Sequence, residues 1–545
     1  MGSGSRVAVA ALLLAACASD SEESKGPSKA TPTVQEEPEF SDSIVVTGVR
    51  SESAAARAYA PMPPPGGYYE QPADTSRFDN GEPSGILRVA DAPVSTFSAD
   101  VDTASYSIVR RFLNQQALPP SEAVRIEEMI NAFDYDYSAP KSADEPFAAD
   151  VSVFGTPWNE KTELIRIGVR GYDLEPEEVP DSNVVLLLDV SGSMNAPDKL
   201  PLLKESMKLL AGELGEDDTL AVVVYAGAAG VVLEPTGGNE KLAIREALDR
   251  LSAGGSTAGG EGIELAYDLA EQNLRKDAVN RVILATDGDF NVGVTSDERL
   301  EDLVARKRET GIYLSVLGFG AGNLNDTMMQ RIAQNGNGVA AYIDDLAEAR
   351  RVLVREFTSS MFPIAEDLKF QVEFNPSAVS EYRLIGYETR ALREEDFDND
   401  RIDAGDIGSG HTVTALYEVT RAGEAGSLPD RRYDEKDAAP YDPDAELAFL
   451  KIRYKRPGED DSRLITRPIT PADRTDAPSE DARFAAAVAA LGEKLGRSGR
   501  ADGLSYDALI EMANGAKGRD EYGDRAGFVQ LVRIAESLDR PGEGD

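Results

Sequence analysis

Three short segments gather oxygen-bearing side chains at spacings that suit a hard cation. Asp189-Val190-Ser191-Gly192-Ser193 sets a carboxylate and two hydroxyls on alternate residues. Gly254-Gly255-Ser256-Thr257-Ala258-Gly259-Gly260 carries hydroxyls in a glycine-rich loop, and Thr286-Asp287-Gly288 adds a further hydroxyl and a second carboxylate. Oxygen is the donor that magnesium prefers, at about six ligands in a tight octahedron that keeps several waters. The glycine-rich loop has a second reading, as a phosphate cradle, but it lacks the G-K-[ST] ending of a P-loop, and no such motif occurs elsewhere in the chain.

Other chemistries are poorly supplied. The 545 residues include one Cys and one His, so no intrachain disulfide forms, and any Ser-His-Asp, Cys-His or H-E-x-x-H site would have to use His411. That residue opens a strand-like run in Gly408-Ser409-Gly410-His411-Thr412-Val413, without a Cys or second His to cooperate with, and reads as structural. Asp396-Phe397-Asp398-Asn399-Asp400 is spaced like the start of a calcium loop, but Arg401 and Ile407 stand where an EF-hand needs Gly and Glu. A solvated acidic loop is the reading there.

The oxygen-bearing segments need a scaffold, and hydrophobic periodicity supplies one. Between Asn183 and Phe362 strand-like runs (183–190, 219–225, 230–233, 281–285, 312–319, 339–343) alternate with helical patterns (200–214, 240–251, 260–274, 297–310, 326–334, 346–359). Continuous apolar runs such as Asn183 to Val190 suit parallel strands buried on both faces. The pattern predicts a doubly wound, Rossmann-like α/β sheet, whose ligand site lies beyond the carboxyl ends of its strands. All three oxygen-bearing segments fall at such ends or at the loop before a helix.

In that order and context, D-x-S-x-S, a loop Thr and T-D-G resemble the metal-ion-dependent adhesion site (MIDAS) of von Willebrand factor type A domains. The resemblance implies that Ser191, Ser193 and Thr257 bind Mg2+ directly, with Asp189 and Asp287 in the inner or outer shell. Mn2+ and Ca2+ are the alternative ions. It further implies an open position for an Asp or Glu offered by a protein partner. Beyond the A domain, Ser95-Thr96-Phe97-Ser98-Ala99-Asp100-Val101-Asp102-Thr103-Ala104-Ser105-Tyr106 and Val124-Arg125-Ile126-Glu127-Glu128-Met129-Ile130-Asn131 look like the N-terminal domain of YfbK-type lipoproteins. Phe374-Asn375-Pro376, Tyr382-Arg383-Leu384-Ile385-Gly386-Tyr387-Glu388 and Thr412-Val413-Thr414-Ala415-Leu416-Tyr417 look like their C-terminal region.

Read physically, Asp102 is expected to cap a helix running to Asn114, and Ser121 one running to Phe133. Runs at 151–154, 164–169, 370–374, 412–419 and 448–454 alternate like half-buried strands. Strands before and after the A domain are expected to pair into one β-sandwich, with the A domain inserted in it. The tail from Ser479 to Leu538 reads as helical, with Phe484, Val488 and Leu491 on one face. The expected organisation is a lipoprotein signal peptide (1–17), a disordered tether (18–91), an N-terminal flanking domain (92–180), the A domain (181–362), a β-rich region (363–475) and a helical region (476–545).

The N-terminus gives an address. Val7 to Ala16 is an apolar run too short to span a bilayer, and Leu14-Ala15-Ala16-Cys17 resembles the lipobox of bacterial lipoproteins, with Cys17 as the lipidated residue. Ala18 after that Cys points to the outer membrane, facing the periplasm or the cell surface. With 97 acidic and 56 basic residues the formal net charge is −41, which disfavours nucleic acid and leaves the lipid as the membrane contact. Within the tether, Ser43-Ile44-Val45-Val46-Thr47-Gly48 resembles the sequence near the plug of TonB-dependent receptors. It is either a strand offered to a TonB-system or other outer-membrane partner through Ile44 to Gly48, or an incidental sticky patch. The function expected is a metal-dependent adhesion or scaffold module on a cell-envelope lipoprotein, not an enzyme. The alternative is a subunit or regulator of an envelope enzyme or transport complex, with the metal as a structural element.

Overall fold

Two kinds of strand pairing divide the chain: parallel pairing dominates its middle, and antiparallel pairing surrounds it. A computed structural model describes residues 74–539 apart from 82, 100, 143, 176–177, 256–258, 289–296, 403, 430, 432–441 and 460. The signal peptide, Cys17, the Ile44 to Gly48 segment and Thr257 therefore lie outside the described residues.

The N-terminal part contributes strands β1 (Leu87–Arg88) and β2 (Val94–Ser98), helices α1 (Ala104–Asn114) and α2 (Ile126–Asn131), and the long hairpin β3 (Phe147–Thr156) and β4 (Asn159–Gly171). The middle follows as β5 (Ser182–Asp189), α3 (Leu200–Glu213), β6 (Thr219–Tyr225), β7 (Ala229–Gly237), α4 (Lys241–Asp249), α5 (Gly259–Gln272), β8 (Val279–Thr286), α6 (Asp297–Glu309), β9 (Ile312–Phe319), α7 (Asp326–Asn335), β10 (Ala340–Ile343), α8 (Leu346–Arg350) and α9 (Phe357–Met361). Its sheet has the order β10-β9-β8-β5-β6-β7, parallel throughout except for the antiparallel edge strand β7.

The apolar run of β5 is explained by its neighbours. Val185 and Leu187 face a core with Ile263 and Tyr267 of α5 and Ile332 of α7, while Val184 and Leu186 face Leu203 and Met207 of α3. Alternate side chains point to opposite faces of a strand, so helices on both sides require apolar residues at every position. The doubly wound fold expected from the sequence is present. Helix α1 joins the first of these layers through Ile108 and Phe112.

Around this sheet lie β11 (Pro363–Phe374), β12 (Val379–Ile385), β13 (Ala391–Leu392), β14 (Gly405–Gly408), β15 (Thr412–Arg421), β16 (Ala448–Lys455) and β17 (Arg463–Ile469). They form sheets of order β1-β12-β15-β4-β3 and β13-β2-β11-β16-β17, with β14 paired to β11. Both sheets therefore mix strands from before and after the A domain. Val153 and Ile167 of the first share one core with Phe97, Phe370 and Leu450 of the second. This is a sandwich carrying an inserted A domain. Helices α10 (Glu480–Leu495), α11 (Tyr506–Asn514) and α12 (Asp524–Asp539) close against α1 and α2 in a separate core. There Phe484, Val488 and Leu491 are buried, together with the alanines between them.

Several expected boundaries shift. Residues 74–91, assigned to the tether, belong to the fold: Leu87 and Arg88 pair with Tyr382 and Glu381, and Thr75 and Arg77 donate backbone hydrogen bonds of 2.8 Å to Gly322 and Leu324. Backbone pairing of this kind depends little on side-chain type, so composition did not reveal it. Asp102 does not cap α1. Its Oδ1 accepts from Ala340 N at 2.8 Å and its Oδ2 pairs with Arg390 at 2.6 Å, and Thr103 holds the cap position. The helix expected from Ser121 to Phe133 splits into a 3-10 turn (Ser121–Ala123) and α2, because Arg125 is drawn inward to Glu128 and to Asp326 (2.7 Å). The helix expected over 346–359 is interrupted by a π turn at Arg351–Arg355, where Arg351 is buried between Glu348 and Glu356.

Candidate functional site

The carboxyl end of β5 sets the first group of oxygens. Asp189 is its last residue and is fully buried. Its Oδ1 accepts from Ser191 N at 2.8 Å, so the turn that leaves the strand is tied to the carboxylate itself. The Ser191 and Ser193 hydroxyls lie 2.9 Å apart; Ser191 is buried and Ser193 is exposed, which opens the group to solvent. Gly192 N donates to Gly255 O (3.1 Å) and Gly254 N to Val190 O (2.8 Å), so the glycine-rich loop is stitched directly to the D-x-S-x-S turn.

Strand β8 delivers the second carboxylate. Thr286 ends the strand and Asp287 follows it, both fully buried. Gly288 has φ +103°, and a Cβ there would stand 2.6 Å from Asn323 O and Asn325 N. Only glycine allows that approach, which seats the T-D-G turn on the 320–325 loop. Lys199 Nζ donates to Asp287 Oδ2 at 2.8 Å and to Asn323 Oδ1 at 3.2 Å.

The two carboxyls are in electrostatic contact and differ in charge balance. Burial pushes Asp189 up to about 6 against the lowering effect of its Ser191 hydrogen bonds, and Asp287 adds to the rise. Burial also raises Asp287, but the hydrogen bond and charge of Lys199 outweigh it and hold that carboxyl below the usual range. The Tyr225 hydroxyl is an electrostatic neighbour of Asp189.

Four of the five expected ligands, Asp189, Ser191, Ser193 and Asp287, are thus brought to one end of the sheet; Thr257 lies outside the described residues. Among the described residues Asp189 Oδ2 is buried and no donor meets it at full hydrogen-bond geometry, although the Tyr225 hydroxyl is close enough to act on the carboxylate. A buried carboxylate oxygen without a donor is costly unless a cation faces it. With two hydroxyls and a second carboxylate beside it, the donor set fits a hard divalent ion. No group of three or more His, Cys, Asp or Glu suited to a metal occurs among the described residues; the donors gathered here are two carboxylates and two hydroxyls.

Lys199, Asn323 and Tyr225 were not singled out in the sequence. A lysine at the start of an amphipathic helix looks like any solvated lysine, and nothing local marks it as buried. The remaining candidates are explained without a ligand. In the acidic loop Asp398 and Asp400 pair with Arg453 at 3.2 and 3.1 Å, and Asp396 pairs with Arg393 at 3.1 Å. His411 lines a cavity of about 220 Å³ where the A domain meets the sandwich, and burial pushes its imidazole down to about 4, which keeps it neutral.

Comparison with known proteins accords with this architecture. The family model described as "von Willebrand factor type A domain" matches residues 183–355, "Uncharacterized protein YfbK, C-terminal" matches 359–538, and "von Willebrand factor" matches 72–166. The chain is 45% identical over 471 residues to YfbK of Escherichia coli (strain K12), spanning 85% of this chain and 82% of that one. It is 23% identical over 325 residues to inter-alpha-trypsin inhibitor heavy chain H3 of Mesocricetus auratus, spanning 55% and 36% of the two chains. Among solved structures, the von Willebrand factor type A protein from Catenulispora acidiphila covers 74% of this chain and 91% of its own at 18% identity, with a TM-score of 0.40. The A domain is a protein–protein interaction module. With that domain in its middle and nearly half its residues shared with the E. coli protein along most of both chains, this protein belongs to the YfbK family.

Proposed function

We propose that the chain recruits a partner protein through a divalent ion held by Asp189, Ser191, Ser193, Thr257 and Asp287, with Mg2+ as the resident ion. The observation that carries this reading is the buried Oδ2 of Asp189, which no donor among the described residues meets at full hydrogen-bond geometry, beside two hydroxyls, one of them exposed. When bound, the ion supplies an electrophilic position for an Asp or Glu carboxylate of the partner. The chain's own contribution is placement. The Gly254–Gly255 backbone fixes the D-x-S-x-S turn, Gly288 seats Asp287, and rigid parallel strands hold both. The role is binding and not catalysis. Cys17 is the lipid anchor, and the protein works at the cell envelope, at the outer membrane facing the periplasm or the surface. No helix among the described residues is long and apolar enough to cross a membrane.

The test is affinity capture by the full chain from detergent-solubilised envelope, in Mg2+, in EDTA, and with Asp189→Ala in Mg2+. A partner retained by the wild type in Mg2+ alone, and released by a peptide bearing a free carboxylate, supports the reading. The same proteins in every lane would sink it. Loss of acylation in Cys17→Ser, read by mass spectrometry, tests the anchor separately.

A further inference from the structure

One cation already stands at this site. Lys199 precedes α3, and its side chain runs inward until the ammonium reaches Asp287 Oδ2 at 2.8 Å and Asn323 Oδ1 at 3.2 Å, leaving the residue 8% exposed. The path is built for it. Gly320 has φ +76°, and a Cβ there would lie 2.3 Å from Lys199 Cγ and 2.4 Å from Cε, so the lysine stem occupies the space a side chain at 320 would take. Asn323, the second acceptor, sits on the same loop. A lysine at a helix start has water available at little cost, and burying its charge is unfavourable without a compensating partner. Here the fold sets aside a glycine, a loop amide and a carboxylate for one ammonium.

The consequence is electrostatic. Asp189 and Asp287 present two negative charges to an incoming divalent ion, and Lys199 cancels one of them a single hydrogen bond away. We propose that Lys199 is a resident counter-cation of the site, which stabilises it while no ion is bound and weakens its affinity for divalent ions. This rests on the reading that Asp189 and its neighbours bind a metal. It deepens that reading: a site held weakly by the chain alone gains most from the extra carboxylate that a partner brings, so ion and partner bind together.

The experiment is calorimetric titration of Mn2+ into the full chain as wild type, Lys199→Met, Lys199→Gln and Asp189→Ala, with melting of each in EDTA. Lys199→Gln keeps a hydrogen-bonding head for Asp287 and Asn323 and serves if Lys199→Met does not fold. The expected result is Mn2+ binding at least about tenfold tighter in the neutral variants than in the wild type, because an unscreened unit charge at this range is worth that much or more. In EDTA Lys199→Met melts below the wild type, and adding Asp287→Asn restores the melting point. A purely structural lysine would lower melting without tightening Mn2+, and that result overturns the proposal. Binding by Lys199→Met where the wild type alone shows none supports the counter-cation, since the wild-type site then holds its ion only with the carboxylate that a partner adds. Failure of every variant to bind Mn2+ overturns both.

Discussion

Two buried carboxylates in one domain are treated in opposite ways. Glu348, on α8, is 2% exposed and is met by Arg110 at 3.0 Å and by Arg351, which also holds Glu356 at 2.6 Å. Burial raises its carboxyl, but the Arg351 and Arg110 guanidiniums outweigh it and hold the group down at about 2. Asp189 is buried as completely, yet among the described residues no cation meets it and no donor reaches its Oδ2 at full hydrogen-bond geometry, and burial lifts its carboxyl to about 6. Where a charge serves the fold, arginines are packed against it. Where a charge faces solvent through exposed Ser193, the protein leaves its balance incomplete, and that shortfall is what a ligand site offers. Asp287 lies between the two cases, since Lys199 answers its charge.

The sharpest way to break this contrast is to remove Glu348. Glu348→Ala removes the buried carboxylate that Arg110 and Arg351 share, leaving Arg110 with Asp344 and Arg351 with Glu356, and should cost about 3 kcal/mol in urea unfolding. A loss under about 1 kcal/mol would place Glu348 with the surface pairs, which contribute little.

A pH titration reads the same group. Its folded value lies below the unfolded one, so its contribution is complete above about 4.5 and is lost as pH falls towards 2. That limb should be worth about 3 kcal/mol and should disappear from the difference between wild type and Glu348→Gln. Identical acid limbs would show that the arginines do not act on this carboxylate.

Asp189 should respond differently. In EDTA, Asp189→Asn is expected to leave stability unchanged or to raise it by about 1 kcal/mol, because a buried, incompletely partnered charge is removed. The same change should abolish the stabilisation by saturating Mg2+, which for the wild type amounts to about 2.7 kcal/mol at a hundredfold excess over Kd. If Asp189→Asn destabilises in EDTA as Glu348→Ala does, the carboxylate is structural and the contrast collapses. The smallest effect is expected at Ser193, whose exposed hydroxyl can go with a stability change within about 0.5 kcal/mol. Divalent-ion affinity should nevertheless fall in Ser193→Ala, as calorimetry would show.

Legibility in the sequence followed the range of the interactions. The run from Asn183 to Val190 announced a strand buried on both faces, since helices pack against both sides of it. D-x-S-x-S could be read because Asp189 and Ser191 bond across two residues, within one turn. The break at Arg125 could not: its partner Asp326 comes from a distant helix, and local periodicity across 121–133 gives no sign of it. Asp102 shows the same limit. Its residue type suits a helix cap, but its oxygens go to Ala340 and Arg390 instead.

By itself the sequence determined the alternation of strands and helices, the strand ends at which Asp189 and Asp287 stand, and the balance of charge. These follow from local pattern, because the periods of helix and strand decide which side chains are buried. Tertiary structure alone decided that residues 74–91 join the fold and that arginines answer Glu348. It also decided that Lys199 reaches Asp287 across 88 positions of chain. The physical reason is that an ion pair is set by distance in space, and only packing the 320–325 loop over the sheet's carboxyl end makes that distance short.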